Sequence, residues 1–158
     1  MTETTIQALA DRVEIVERVT RVAVLADRRS WDDLRACFAG LVEIDYTALV
    51  GGEPEELPAE ALMERWQELL ESFAATQHLV TNHLVALEGD TATCDADVRA
   101  THFRPSGDGQ EPVWQVGGFY HYGLVRSDGG WLVRTMRFVP TWSRGNPALS
   151  PTGAQVGA

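Results

Sequence analysis

The sequence has few of the residues that build redox, metal or nucleotide sites. Its 158 residues include only two cysteines, Cys37 and Cys94, in segments that read as helix and strand. We therefore expect both thiols to be free and reduced in a cytoplasmic protein. No Cys-x-x-Cys, His-Glu-x-x-His, Walker-type or dinucleotide glycine pattern is present. The sequence gives no support for a metal or nucleotide cofactor, and we expect none.

Positive charge and long apolar runs are also scarce. The formal net charge is -10, which disfavours nucleic acid and anionic membrane as partners. We read no secretory leader and no run long enough to span a bilayer. With 44% hydrophobic residues, a chain of this length can bury one core. We expect a single domain over residues 1–145 and a flexible tail, rich in Pro, Gly and Ala, over residues 146–158.

Residues 76–104 predict a β-hairpin that carries three of the four histidines, with its turn at residues 88–90. Side chains alternate along a strand, so His102 points the same way as Cys94, Ala96, Val98 and Ala100. His78 and His83 are an odd number of positions apart and face opposite ways unless a bulge intervenes. We expect only one of them to join His102 inside, as a core group or a proton-transfer group.

A helical period from about Glu3 to Ser30 predicts a long first helix. Its apolar stripe consists of Leu9, Val13, Val16, Val19, Ala23 and Ala26. Asp27 extends the stripe, which places a carboxylate at the C-terminal end of an apolar face, near the negative end of the helix dipole. Asp27 either turns to solvent, caps a short second helix that is predicted from Trp31 to Phe38, or finds a partner inside the protein.

The remaining segments predict an α+β architecture. Alternation in residues 41–48 predicts a strand with Tyr46 facing inward. A polar loop precedes a helix over about residues 59–73, and two strands at residues 113–126 and 130–142 form another hairpin after a loop at 105–112. The order predicts a cone, in which a curved antiparallel sheet wraps around the first helix and leaves a pocket. Large side chains on both faces of the 113–126 strand predict a helix on one side and a partner subunit on the other.

Asp27, Tyr46 and His102 fall on buried faces independently of one another, and the pattern permits His78 to join them. Such polar groups are costly in an apolar interior unless they are paired, so we expect them to bond one another or line a wet cavity. A carboxylate beside an imidazole raises the imidazole's pKa and fixes its tautomer. The pair would suit removal of a proton next to a carbonyl, or elimination of a leaving group.

Several segments taken together resemble a known family. They are ADRRSWDDLRACFAGLVEIDYTAL, LPAEALMERW, TQH, VRATHFR and DGGWLV, followed by Trp142. Between Leu25 and Gly145 they are similar to scytalone dehydratase and to the wider SnoaL-like branch of the nuclear-transport-factor-2-like superfamily. This resemblance implies a cystatin-like α+β barrel, often assembled as a trimer, and we expect a homotrimer or homodimer.

The resemblance also implies an activity and a catalytic set. By position, Asp27, Tyr46, His78 and His102 match the family's aspartate, one of its two tyrosines and its two histidines. The implied reaction is a cofactor-free dehydration in which a histidine takes the proton alpha to a ketone, a tyrosine-held water polarises the carbonyl, and an imidazole helps the hydroxyl to leave. The related hexachlorocyclohexane dehydrochlorinase uses a similar aspartate–histidine pair.

The sequence differs from the family at positions whose side chains orient the substrate in the family. Ala26 stands where the family has its second tyrosine. Gly118 and Tyr120 stand near the positions where the family has a serine and an asparagine in a later strand. These differences argue against scytalone itself as the substrate, so we expect a small apolar cyclic hydroxyketone, aromatic or polyketide-like. Four large side chains are candidates for binding it: Trp66, Tyr120, Phe138 and Trp142.

Two other functions fit the same residues. One is a different catalyst on the same cone, such as a polyketide cyclase, a ketosteroid-type isomerase or an epoxide hydrolase, although an epoxide hydrolase would need more than one inward carboxylate. The other is a non-catalytic binding module, because a fold does not fix a function. The binding module predicts that Asp27 and His78 stay apart and that Trp66, Phe138 and Trp142 fill the pocket.

Overall fold

The computed structural model describes residues 3–105 and 109–157. The helices are α1 (Glu3–Asp27), α2 (Trp31–Arg35), α3 (Thr47–Val50) and α4 (Ala59–Glu71). The strands are β1 (Phe38–Asp45), β2 (Glu55–Pro58), β3 (Ala75–Glu88), β4 (Thr91–Phe103), β5 (Val113–Ser127) and β6 (Gly130–Gly145). No helix in the described ranges is both long and apolar enough to cross a bilayer.

All six strands form one curved sheet in the order β2-β1-β6-β5-β4-β3. Neighbouring strands are antiparallel except β1 and β6, which run parallel. The long connection that a parallel pair needs consists of α3, β2, α4 and the β3–β5 meander. The long helix α1 packs against β3, β4 and β6. The predicted α+β cone of a curved sheet around the first helix is thus confirmed, with one parallel pair in the sheet.

The β3–β4 hairpin has the predicted turn, and alternate β4 side chains from Ala92 to His102 point inward. The β3–β4 register shifts between Thr81 and Leu84, where Asn82 has a left-handed φ of 56°. This bulge resets the alternation of β3, so His78 and His83 both lie on the partly buried face.

The structure corrects three local predictions. Leu9 and Val13 are 50% and 68% exposed, because the buried face of α1 in that half runs through Asp11 and Ile15. Phe38 begins β1 instead of ending the second helix. Part of the predicted polar loop before α4 pairs with β1 as the short edge strand β2. Of the predicted loop at 105–112, residues 106–108 lie outside the described part of the chain.

The first half of α1 is held to the sheet by a partly buried ion pair. The Arg126 guanidinium donates from both terminal nitrogens to the two Asp11 carboxylate oxygens, each at 2.8 Å. The indole Nε1 of Trp131, a residue with no exposed surface, donates to the same carboxylate at 3.1 Å. The hydrogen bonds from the Arg126 guanidinium, together with its positive charge, hold the pKa of Asp11 well below its usual range, although burial acts to raise it. Asp11 therefore joins α1 to β5 and β6.

The C-terminal segment packs back on the sheet. Ser143 and Val156 exchange two hydrogen bonds, one between backbones at 3.0 Å and one from Val156 N–H to the Ser143 hydroxyl at 2.6 Å. Leu149 is buried, and Pro151 forms part of a cavity wall. Flexibility of residues 146–158 stays a prediction, and Ala158 lies outside the described residues.

Candidate active site

Helices α1 and α4 and the concave face of the sheet enclose a cavity of about 340 Å³. This volume lies within the usual range for sites that bind small molecules. Its walls are mostly aliphatic and aromatic. The polar and aromatic side chains on the wall include His78, His102, Tyr46, Tyr120, Trp66 and Phe138.

Asp27 and His78 meet at the edge of this cavity. The His78 Nδ1 lies 2.7 Å from Asp27 Oδ1, and the His78 backbone N–H donates to Asp27 Oδ2, also at 2.7 Å. Both side chains are largely buried, at 17% and 14% exposure. Burial raises the pKa of the Asp27 carboxyl. The hydrogen bonds and the charge of His78 lower the pKa by more than burial raises it, so it lies below its usual value. An ionised Asp27 accepts the proton on Nδ1, which leaves Nε2 of the neutral ring as the proton acceptor.

The sequence reading missed the residues that hold Asp27 in place. The Thr76 hydroxyl donates to Asp27 Oδ1 at 2.9 Å and accepts from the Arg29 guanidinium at 2.9 Å. Arg29, at the end of α1 with a φ of 58°, also donates to the Ala26 and Leu70 carbonyls, both at 2.8 Å. Thr76 precedes His78 by two positions on one face of β3, a spacing that would have identified it.

His102 lies next to His78, with 5.7 Å between ring centroids. Its ring packs between the tilted rings of Phe73 and Trp114, with centroids at 4.9 Å and 5.0 Å. Burial, with a contribution from the charge of His78, lowers the pKa of His102 to about 4. His102 is therefore a neutral imidazole at physiological pH.

Stability should depend on pH through His102. Between the usual histidine value of 6.5 and about 4, the unfolded chain binds a proton that the folded protein does not, so lowering the pH favours unfolding. We expect the wild type to lose up to about 3 kcal/mol of unfolding free energy across this window through this one group. Urea unfolding from pH 7 to pH 4 tests this, with His102→Gln expected to show a shallower decline. Parallel curves for the two proteins would contradict it.

Tyr46 and Tyr120 form a second polar group in the cavity. Each hydroxyl is close enough to affect the pKa of the other, and both rings pack on Phe138, with centroids at 6.2 Å and 5.1 Å. Burial raises the pKa of both hydroxyls, and the Asp27 charge adds to the rise at Tyr120. Both phenols are thus protonated donors at neutral pH, and Tyr120 is close enough to Asp27 to feel its charge.

Trp142 lies outside the cavity, contrary to the prediction that it binds substrate. It pairs with Gly117 of β5, and a bulge in β6 at Thr141 separates this pair from the pair of Gly118 with Pro140. Val116 lines the cavity, so Gly117 faces the outer side of the sheet. A Cβ on Gly117 would lie 2.2 Å from the Trp142 indole. The bulge thus turns Trp142 to the outer face, where it is 38% exposed.

The other two histidines, His83 and His121, lie away from the Asp27–His78 pair. The His83 Nε2 is 3.4 Å from the Thr20 hydroxyl on α1. His121 pairs with Asp95 on the outer face of the sheet, and both side chains are about half exposed. The described part of the chain therefore includes two Asp–His pairs, one buried at the cavity and one facing outward.

The fold and this cavity define the class of protein. The profile of the SnoaL-like domain family matches residues 7–137, and the chain belongs to this family. A solved structure that is 21% identical to this chain is described as an NTF2-like protein with a cystatin-like fold, which shows likeness of fold alone. The predicted membership of the SnoaL-like family is confirmed.

Three solved structures illustrate the relationship. The Kfla4162 protein from Kribbella flavida is 33% identical with a TM-score of 0.83, over 87% of this chain and 95% of its own. A candidate scytalone dehydratase from Novosphingobium aromaticivorans is 18% identical with a TM-score of 0.77, over 89% and 91%. A type 2 hexachlorocyclohexane dehydrochlorinase is 17% identical with a TM-score of 0.72, over 89% and 92%. The last two show likeness of fold alone.

Proposed function

We propose that this protein is a cofactor-independent lyase that eliminates water from a small cyclic hydroxyketone, with the Asp27–His78 pair as general base. The observation that carries the proposal is the 2.7 Å contact between His78 Nδ1 and Asp27 Oδ1 at the wall of an apolar cavity. A pair in this arrangement is a proton acceptor, and both of its side chains are largely buried. Solved structures of similar fold include proteins named for elimination reactions.

In the proposed reaction His78 moves one proton. Its Nε2 takes the proton from the carbon alpha to the carbonyl, and the C–H electron pair becomes the new C=C bond as the C–O bond to the hydroxyl breaks. The departing hydroxide takes the same proton from His78 and leaves as water, so His78 returns to its neutral form. Asp27 stabilises the imidazolium that exists between the two transfers.

Tyr46 and Tyr120 are placed to polarise the carbonyl. In the elimination, negative charge develops on the carbonyl oxygen, and hydrogen-bond donors that are already oriented stabilise it. The two hydroxyls are buried, protonated and adjacent. Tyr120 thereby supplies a donor in a protein that has Ala26 where relatives of the scytalone dehydratase type carry a second tyrosine. Trp66 and Phe138 supply apolar walls for the ring.

The alternatives are less well supported. A non-catalytic binding module required Asp27 and His78 to be apart and the pocket to be filled by side chains, and neither condition describes this molecule. A ketosteroid-type isomerase or polyketide cyclase would use the same base. Either would return the proton to another carbon or form a carbon–carbon bond, so the product distinguishes these from a lyase.

Incubation with a panel of neutral cyclic β-hydroxyketones, of one and two rings, tests the proposal. We expect at least one member to give its conjugated enone and one equivalent of water, followed by enone absorbance and by mass loss. The reaction should proceed in the presence of chelator and without added cofactor. A panel that is bound but returned unchanged, or isomerised without loss of mass, would contradict the lyase assignment.

We propose that the protein works as a homo-oligomer in the cytoplasm. The outer face of the sheet exposes the aromatic Trp142 together with paired charges of both signs, including Asp95 with His121 and Arg137 with Asp45. Such a balanced face can meet a copy of itself although the chain is acidic overall. Both cysteines are free and buried, as is usual in a reducing compartment. Sedimentation of the purified chain would give the number of subunits.

A further inference from the structure

Arg29 stands at a backbone position that usually belongs to glycine. Helix α1 ends at Asp27, and beyond it the Ser30 N–H donates to the Leu25 carbonyl at 3.0 Å while the Arg29 N–H donates to the Ala26 carbonyl at 3.1 Å. These two bonds define a Schellman motif, in which the second residue beyond the helix has a left-handed backbone and is most often glycine. Arg29 has this backbone, with a φ of 58°, which strains any residue that has a Cβ. The presence of arginine at such a position points to a role for its guanidinium.

The guanidinium of Arg29 joins three elements around the cavity. Its Nη1 donates to the Ala26 carbonyl at the end of α1, at 2.8 Å, and to the Thr76 hydroxyl on β3, at 2.9 Å. Its Nη2 donates to the Leu70 carbonyl near the end of α4, at 2.8 Å. The described residues that line the cavity include Ala26 and Leu70 but neither Arg29 nor Thr76. Arg29 therefore ties the cavity walls together from a place outside the lining.

The guanidinium also fixes the direction of the hydrogen bonds that reach Asp27. A guanidinium can only donate, and a hydroxyl has a single proton. The Thr76 hydroxyl therefore accepts from Arg29 and gives its own proton to Asp27 Oδ1, at 2.9 Å. Asp27 Oδ2 accepts from the His78 backbone N–H at 2.7 Å. Because donors hold both carboxylate oxygens, the carboxylate plane is fixed in the orientation in which Oδ1 meets His78 Nδ1.

We propose that Arg29 is a positioning residue for the base, which acts through the Thr76 hydroxyl to hold the Asp27 carboxylate against His78. Its effect on the rate rests on the proposed function, in which Asp27 must face the imidazolium while the proton is on His78. A shift of about 1 Å in a catalytic group can cost about 100-fold in rate. Loss of the Arg29 guanidinium should therefore lower kcat and leave KM nearly unchanged, because Arg29 is not part of the cavity lining.

Arg29→Asn and Arg28→Asn form a matched pair of variants. Asparagine also tolerates the left-handed backbone, so Arg29→Asn keeps the end of α1 while it removes the guanidinium. On the hydroxyketone that the panel identifies, kcat should fall about tenfold or more, with KM within about twofold of the wild type. Arg28→Asn removes the same charge from the preceding, exposed residue and should leave both constants near their wild-type values. If the two variants lost activity equally, charge alone would explain the loss and the proposal would be overturned.

Substitution of Thr76 gives a second test that leaves Arg29 in place. Thr76→Val has a similar shape but lacks the hydroxyl, so kcat should fall as in Arg29→Asn. Thr76→Ser restores the hydroxyl and should recover most of the rate that valine loses. Full activity in Thr76→Val, or no recovery with serine, would mean that Arg29 does not act through Thr76, and the proposal would be wrong.

Proton NMR measures the same contact without any reaction. The His78 Nδ1–H that is bonded to Asp27 should give a strongly downfield signal in the wild type, identified by its loss in His78→Gln. The signal should persist in Arg28→Asn and Thr76→Ser, and it should disappear through faster exchange with water in Arg29→Asn and Thr76→Val. If it does so but no hydroxyketone is dehydrated, the positioning role stands and the lyase assignment fails. If dehydration occurs while the signal and kcat are the same in all four variants, the positioning role fails alone.

Discussion

His78→Gln should lower the rate of elimination by about 100-fold or more, because it removes the group that accepts the proton. Asp27→Asn should cause a loss of similar size. An asparagine can still hold the ring, but its amide cannot stabilise the imidazolium and it favours the wrong tautomer. The measurement is kcat/KM on the hydroxyketone that the panel identifies. Binding of an analogue of this substrate that lacks the leaving hydroxyl should be nearly unchanged, because the cavity walls are intact.

The outer Asp–His pair supplies the matched control for this experiment. Asp95→Asn and His121→Gln make the same chemical changes in an aspartate and a histidine that are also in contact, but on the face of the sheet away from the cavity. We expect both variants to keep kcat/KM within about twofold of the wild type, since exposed polar changes have small effects. If the outer pair mattered as much as the inner pair, or if the inner pair could be removed without loss, the assignment of the base to His78 would be wrong.

Asp11→Asn should be the most destabilising of the conservative polar substitutions. The change leaves the Arg126 guanidinium facing an amide instead of a carboxylate, and it weakens the acceptor for the fully buried Trp131 indole. Loss of one charge from a buried, hydrogen-bonded pair costs about 2–3 kcal/mol. Urea unfolding at pH 7 measures the change.

Asp90→Asn is the corresponding control, because Asp90 pairs with the same arginine at 3.1 Å and its side chain is 85% exposed. Exposed ion pairs contribute about 0–1 kcal/mol, so this variant should unfold at nearly the wild-type urea concentration. Equal losses in the two variants would show that the buried Asp11 carboxylate contributes no more than the exposed Asp90 carboxylate, and would contradict the prediction.

Much of the cavity was predictable because its residues lie on regular elements. His102 follows an alternating run of small and apolar residues along β4, and Asp27 follows a helical stripe, so periodicity placed both on inner faces. The contact between them and His78 was implied by resemblance to a family, and no spacing rule required it. Tyr46 faced inward by alternation, although it stands just beyond the end of β1.

Irregular positions were not predictable in the same way. The extra residue at Thr141 reverses the direction of Trp142, and the shift between Thr81 and Leu84 brings His83 to the face of His78. The shift between Thr81 and Leu84 contains no glycine or proline, whereas Pro140 beside Thr141 is a bulge signal that alternation alone does not take into account. Asp11 was overlooked because a buried acid interrupts an apolar stripe. Its partner Arg126 is 115 residues away, a distance over which sequence periodicity carries no information.

Helix α1, which ends at Asp27, also contains Asp11, so it links the carboxylate at the cavity to a distant ion pair. Sixteen residues of α-helix separate the two carboxylates by about 24 Å. One is clamped to the sheet by Arg126, and the other touches the imidazole at 2.7 Å. Because α1 is held to the sheet at Asp11, the Asp27 carboxylate keeps its position. Slippage of the helix by a single residue would move this carboxylate by about 1.5 Å. In the proposed reaction, the position of the Asp27 carboxylate therefore depends on the Asp11–Arg126 ion pair, whose residues do not line the cavity.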